Sequence, residues 1–174
     1  MPSLADKAFA KLQKLNSNAT TLGDNTLSNV TEWIDTGCLV LNSILSGSIY
    51  GGVPKGRITI FAGDSGCGKT FILNKILANA QRKGMIPVIF DTEIAVENEG
   101  AENVGLDTSN VKYVPVDTVE NCRNQIMTFL DEVEKEPELH GKFIISIDSL
   151  GNLASEKEIN DAGANKGAMD MGLR

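Results

Sequence analysis

Histidine is nearly missing from this chain: His140 is the one instance in 174 residues. It stands in "PELHGK", a surface-turn composition, with no second residue to form a catalytic constellation. Cysteine is also scarce. Cys38, Cys67 and Cys122 are far apart in sequence and form no CxxC pair. With one histidine, that spacing argues against a structural zinc site. An odd number of unpaired cysteines fits reduced thiols rather than a disulfide framework. Aromatic residues make up 5%, so the core is expected to be mostly aliphatic. No apolar run approaches the ~20 residues of a membrane-spanning helix. The opening "MPSLADKAFAKLQKL" alternates apolar and charged residues and lacks the uninterrupted apolar stretch of a secretory signal. The expected location is the cytoplasm. Positive charge is in deficit, with a net charge of −7. The chain would not grip nucleic acid by bulk charge, although a local basic loop is compatible with that balance.

The remaining composition is that of a folded globular protein, and the length suggests one domain with a real core. Leu4, Ala8, Leu12 and Leu15 lie on one face of a helix over 4–16. The stretch 16–29 is rich in Asn, Thr and Gly and reads as a mobile connector. A short helix fits 38–46, with Leu41, Ile44 and Leu45 on one side. From there strands and helices alternate. Strands are expected over 57–62, 86–90, 111–116 and 143–147, the last an unbroken apolar run expected to be buried on both faces. Helices are expected over 70–82, ended by Gly84, and from a cap at Asp117 or Thr118, with Val119, Cys122, Ile126, Phe129, Leu130 and Val133 on one face. The alternation predicts an α/β protein with a mainly parallel sheet flanked by helices.

One loop carries chemistry. In "FAGDSGCGKTF", Gly63, Gly68, Lys69 and Thr70 satisfy GxxxxGK[ST], the phosphate-binding pattern of P-loop NTPases. Its glycines let several backbone N–H groups turn toward one anion, and the following helix adds its positive end. The backbone from Gly63 through Asp64, Ser65, Gly66, Cys67 and Gly68 would hold the phosphates of ATP. Lys69 would reach the β- and γ-phosphates and the Thr70 hydroxyl would bind Mg²⁺. Cys67 reads as a position where the backbone matters and the thiol does not. Asp148 directly follows the 143–147 run, so it would face the ligand crevice and share the Mg²⁺ shell with Thr70. Asp91 and Glu93 end a second strand in "VIFDTE"; either could polarise an attacking water.

The order "TGCLVLNSILSGSIYGGVPKGRITIFAGDSGCGKT", "IFDTE", "VGLD" and "ISIDSLGNLASEKE" resembles the RecA-like strand-exchange recombinases, and most of all, over the last stretch, the UvsX recombinases of tailed phages. The resemblance runs from about Thr36 to the end of the sequence. It implies an ATP-dependent DNA recombinase, a DNA-dependent ATPase that binds single- and double-stranded DNA, assembles with itself as a helical filament or ring, and promotes pairing and strand exchange in recombination, repair and replication. It assigns the water-activating role to Glu93 and the metal-linked role to Asp148, with Lys69 catalytic and Thr70 on the metal. It makes 156–169 a flexible first DNA-binding loop, in which Lys157, Asn165, Lys166, Met169 and, just beyond, Arg174 would meet DNA.

The resemblance departs at Gly100, where the family carries an aromatic residue that stacks on adenine. It also implies two parts: 1–30, an N-terminal helix and connector able to contact another subunit, and 31–174, an ATPase core cut short after the first DNA-binding loop. A further strand is then expected between the strand near Ala62 and the one ending at Asp148, carried on another chain or beyond the given sequence. Without it, the 174 residues would bind ATP poorly and complete neither hydrolysis nor strand exchange. The competing readings are another RecA-fold motor of the replicative-helicase type, and a non-catalytic truncated paralogue that regulates recombinase filaments.

Overall fold

The computed structural model describes residues 3–26, 28–93 and 98–163. These fall in two compact units, 1–31 and 32–174. In the first, α1 spans Leu4–Leu15. It starts where Ser3 and Asp6 cap each other: the Asp6 N–H donates to Ser3 Oγ (3.1 Å) and the Ser3 N–H to Asp6 Oδ2 (2.7 Å). The connector that follows contains one 3₁₀ turn, Leu22–Asp24.

The second unit opens with β1 (Trp33–Ile34), α2 (Leu39–Ser46) and β2 (Val53–Pro54), the two strands pairing antiparallel. Leu41 and Leu45 of α2 are half-buried as expected, whereas Ile44 is exposed. Asn42 is the residue of α2 that is buried. Its Oδ1 accepts from the N–H (2.9 Å) and hydroxyl (2.7 Å) of Thr36, and its amide donates to Asp35 Oδ1 (2.7 Å) and the Ile49 carbonyl (3.1 Å). Each polar atom is satisfied, so burial of this amide is tolerated. Gly52 completes the corner with φ +136°; a Cβ there would stand 2.0 Å from the Ile34 carbonyl oxygen.

The strand expected over 57–62 does not form. This stretch is assigned no strand and pairs with no strand among the described residues. Thr59 and Phe61 are half-buried, with Phe61 packed on the cluster of Ile34, Ile76, Ala80 and Met85. Ile58 (93% exposed) and Ile60 (73%) point out. The inward–outward alternation of a strand is present, and no neighbour among the described residues turns it into a ladder.

Beyond the loop, α3 (Lys69–Arg82) begins after Gly68, whose φ of +90° suits a residue without Cβ, and buries Asn74, Ile76, Leu77, Ala78 and Ala80. Gly84, at φ +78°, follows its end and turns the chain into β3 (Ile86–Asp91). Next come α4 (Asn98–Asn103), a short helix that the sequence pattern did not announce, then β4 (Lys112–Pro115), α5 (Val119–Lys135), β5 (Phe143–Asp148) and α6 (Glu156–Gly163). The Thr118 hydroxyl caps α5 by accepting from the Asn121 N–H.

The strands β4, β3 and β5 form a parallel sheet in that order. Because β3 alternates, Ile89 joins Leu77, Ala78, Ala101 and Leu106 on the α3 side. Val88 and Phe90 join Val116, Cys122 and Leu153 on the α5 side. Helices thus cover both faces, as parallel strands require. Two expectations need correction. β5 is half-buried rather than buried on both faces, because β3 is its one strand partner among the described residues. Leu130 of α5 is exposed, while Val119, Cys122, Ile126 and Phe129 pack inward.

Candidate functional site

Parallel register brings the strand ends together: Asp91 aligns with Pro115 on one side and Asp148 on the other. The carboxyl end of a parallel sheet is where ligands of α/β proteins bind, since the loops leaving the strands diverge there. The chain ends beyond β3 and β5 are fastened to each other. The Thr92 N–H donates to the Asp148 carbonyl (2.9 Å), the Thr92 hydroxyl to the Ser149 carbonyl (2.8 Å), and the Ser149 N–H to Thr92 Oγ1 (3.0 Å). The Asp148–Ser149 peptide is cis.

The glycine-rich loop joins this end through α3. Thr70, in the first turn, donates its hydroxyl to Asp148 Oδ2 at 2.7 Å, across 78 positions of sequence. Lys69 folds back over the loop, its Nζ donating to the carbonyls of Gly63 and Asp64 at 2.8 Å each. Gly66 and Gly68 supply the left-handed backbone the turn needs, with φ +75° and +90°. Asp64, Ser65 and Cys67 are exposed along it, and Cys67 is a free thiol. The described residues contain no group of three or more His, Cys, Asp or Glu able to hold a metal. A hydroxyl and a carboxylate in contact nevertheless fit Mg²⁺, which binds proteins through one or two oxygen ligands and completes its octahedron with water and phosphate.

Asp91 and Glu93, indistinguishable as bases in the sequence, have different surroundings. Asp91 is 1% exposed; its Oδ1 accepts from the Glu93 N–H and its Oδ2 from the Tyr113 hydroxyl, both at 2.9 Å. Desolvation first, and the bond to that carboxylate second, raise the Tyr113 phenol above its ordinary pKa. Asp91 is therefore a buried anchor for the turn that carries Glu93. Glu93 itself is exposed, and its Oε1 accepts from Ser149 Oγ (3.0 Å) and Asn152 Nδ2 (2.6 Å). Gly100 lies in α4 and brings no aromatic surface.

The expected DNA-contacting segment is in part a helix. Lys157 is exposed on α6, and Asn165, Lys166, Met169 and Arg174 lie outside the described residues. A flexible loop was expected from 156 onward; instead, Ser155 and Glu158 cap α6 reciprocally. The Glu158 N–H donates to Ser155 Oγ (3.1 Å) and the Ser155 N–H to Glu158 Oε2 (2.8 Å). The S-x-x-E spacing of "SEKE" was the available signal for that helix start. The sequence pattern offers Asp91 only as an alternative base to Glu93 and gives no site role to Ser149 or Asn152. Their contacts with Glu93 cross from one strand end to another, or run through a buried carboxylate, and spacing carries neither.

The described residues form an α/β fold, a helix-flanked parallel sheet with a glycine-rich loop opening a helix at its carboxyl end. The chain belongs to the RecA family: the RecA N-terminal domain matches residues 4–173. It is 34% identical over 156 residues to Protein RecA of Bifidobacterium breve, covering 88% of this chain and 37% of that protein. It is 34% identical over 169 residues to Protein RecA of Nitratiruptor sp., covering 97% and 44%. With the Recombination and repair protein of Enterobacteria phage T4 the identity is 31% over 145 residues, covering 82% and 36%. A special closeness to the phage recombinases is thus not supported, since the bacterial proteins match at least as well. The chain spans 36–44% of the length of these curated relatives.

Proposed function

We propose that the chain is a RecA-type ATP-binding module of DNA recombination, and that the 174 residues by themselves regulate a recombinase filament rather than drive strand exchange. The observation that carries this reading is that, among the described residues, 58–62 joins no sheet although it lies beside a well-formed loop and sheet end. Thr70 and Asp148 are in contact at the sheet end, while the stretch that feeds the loop joins no strand among the described residues.

In this reading Lys69 leaves the Gly63 and Asp64 carbonyls for the β- and γ-phosphates, and the loop N–H groups take the remaining phosphate oxygens. Thr70 and Asp148 hold Mg²⁺, which neutralises phosphate charge. Glu93 orients a water. Lys157, Asn165, Lys166, Met169 and Arg174 contact single- or double-stranded DNA or an adjoining subunit, without reading sequence.

The second reading is ATP-driven pairing and strand exchange by a core completed with further polypeptide. The approach of Thr70 to Asp148 and the accessible Glu93 favour it. ATP turnover, measured with and without single-stranded DNA, on the 174 residues and on a chain extended past Arg174, separates the two. The regulatory reading expects Mg·ATP binding with little DNA stimulation by the 174 residues. Robust DNA-stimulated turnover by them would favour the second, and absence of ATP binding in both chains would remove the nucleotide reading altogether.

A further inference from the structure

Glu93 is exposed, yet its carboxylate is not left to rotate freely. One oxygen, Oε1, takes both donors, Ser149 Oγ at 3.0 Å and Asn152 Nδ2 at 2.6 Å. The other oxygen accepts no hydrogen bond from the described residues. A carboxylate fixed through one oxygen presents the second in a defined direction, which is what orienting a single water demands.

The donors are themselves fixed. Ser149 is held by the Thr92 pair described above. Asn152 closes a 3₁₀ turn, Leu150–Asn152, and the next residue, Leu153, is buried against Val88, Phe90, Val116 and Cys122. One residue further, Ala154 bridges to Thr118 and its carbonyl accepts from the Val119 N–H at 3.1 Å. Then Ser155 caps α6. Asn152 thus stands on a short, doubly anchored segment between β5 and α6, with its amide turned to a carboxylate 59 positions away in sequence.

We propose that Asn152 is the positioning residue for Glu93, and that it ties the water-orienting carboxylate to the chain entering α6. The inference rests on the nucleotide reading above and adds a residue to the site: Asn152 acts through Glu93 and touches neither nucleotide nor metal. A displacement of α6 by whatever binds there would move Leu153 and Asn152 together, and with them the direction of Glu93. Because the Asn152 side chain is exposed, its bond contributes little to folding, and its loss would be read in chemistry rather than in stability.

The test is single-turnover hydrolysis of Mg·ATP by excess of the chain extended past Arg174, with single-stranded DNA present, combined with ATP titration calorimetry and thermal melting of the same chain. Asn152→Asp keeps the size but removes the donor and sets a second negative charge beside Glu93. It is expected to slow the rate at saturating ATP by about tenfold or more, with ATP affinity within about twofold of the parent and an unchanged melting temperature. Asn152→Ala should slow it similarly, and Asn152→Gln, which keeps an amide, should recover part of the rate. Unchanged rates in both Asn152→Asp and Asn152→Ala would overturn the inference and leave the nucleotide reading standing. So would a fall in ATP affinity that accounts for the whole loss. Binding of ATP without any Lys69-dependent turnover in the parent would overturn the inference alone; no binding of ATP would overturn both.

Discussion

Asn42 shows how much a single side chain can organise. Its amide joins Thr36, Asp35 and Ile49 and so fixes the corner from β1 through α2 toward β2. The Asn42 amide first, and the Gly37 N–H second, hold the Asp35 carboxyl below the usual carboxylate pKa. A depressed folded value contributes stability that is present above the unfolded value, near 4, and is lost as pH falls through the lower folded value. Asn42→Ala leaves the Thr36 N–H without its acceptor and is expected to cost about 1–3 kcal/mol. It should also flatten the acid limb, since Asp35 loses its main donor. Urea unfolding of the parent and the variant between pH 3 and 7 checks both, with the difference between them shrinking toward the acid end. At the same scale Asp91 and Glu93 divide the work of an acidic pair by burial: one closes off a turn, the other meets solvent.

The element with most left to do is the 57–62 stretch. Its inward row, Thr59 and Phe61, is already seated, while Ile58 and Ile60 remain open to water. β5 likewise has β3 as its one neighbour among the described residues. Two extended segments of this kind are a template for an added strand, because their N–H and C=O groups exchange water for a partner at little cost. Replacing Ile58 and Ile60 together by Lys should change the stability of the 174 residues by no more than about 0.5 kcal/mol per site, as usual for exposed positions. The same replacement should abolish co-assembly with a RecA-type recombinase, measured by analytical ultracentrifugation. A large loss of melting temperature, or undiminished co-assembly, would contradict that role. The helix that replaced the expected loop at 156 belongs to this scale as well. The reciprocal cap of Ser155 and Glu158 is local to "SEKE" and starts a helix where the family resemblance implies a flexible loop.

For the molecule as a whole, the net charge of −7 sets the character of any contact with nucleic acid. The described part of the expected DNA segment, α6, carries Lys157 among Glu156, Glu158 and Asp161, so few phosphates can be neutralised there. The affinity of the 174 residues for single-stranded DNA is expected to fall with salt on a shallow log–log slope, about −0.7 for each phosphate contact and no steeper than about −3 in total. Fluorescence anisotropy across a salt series measures it, and a steep slope would require more phosphate contacts than α6 can make.

The α/β alternation, α3 and α5 with their stops and caps, the glycine-rich loop and the strand-end carboxylates could all be read from the sequence. Hydrophobic period, cap chemistry and loop spacing are local, and the chain states them locally. Family membership was legible for the same reason, as a series of short motifs in order. What only tertiary structure decided is which of those pieces meet. It joined Thr70 to Asp148, buried Asp91 while leaving Glu93 open, and brought Asn152 to Glu93. Among the described residues it also left 57–62, a strand by composition, without a ladder. Each of these depends on strand register or on the presence of a neighbour, and pairing between distant segments has no signature in the spacing of residues along one chain.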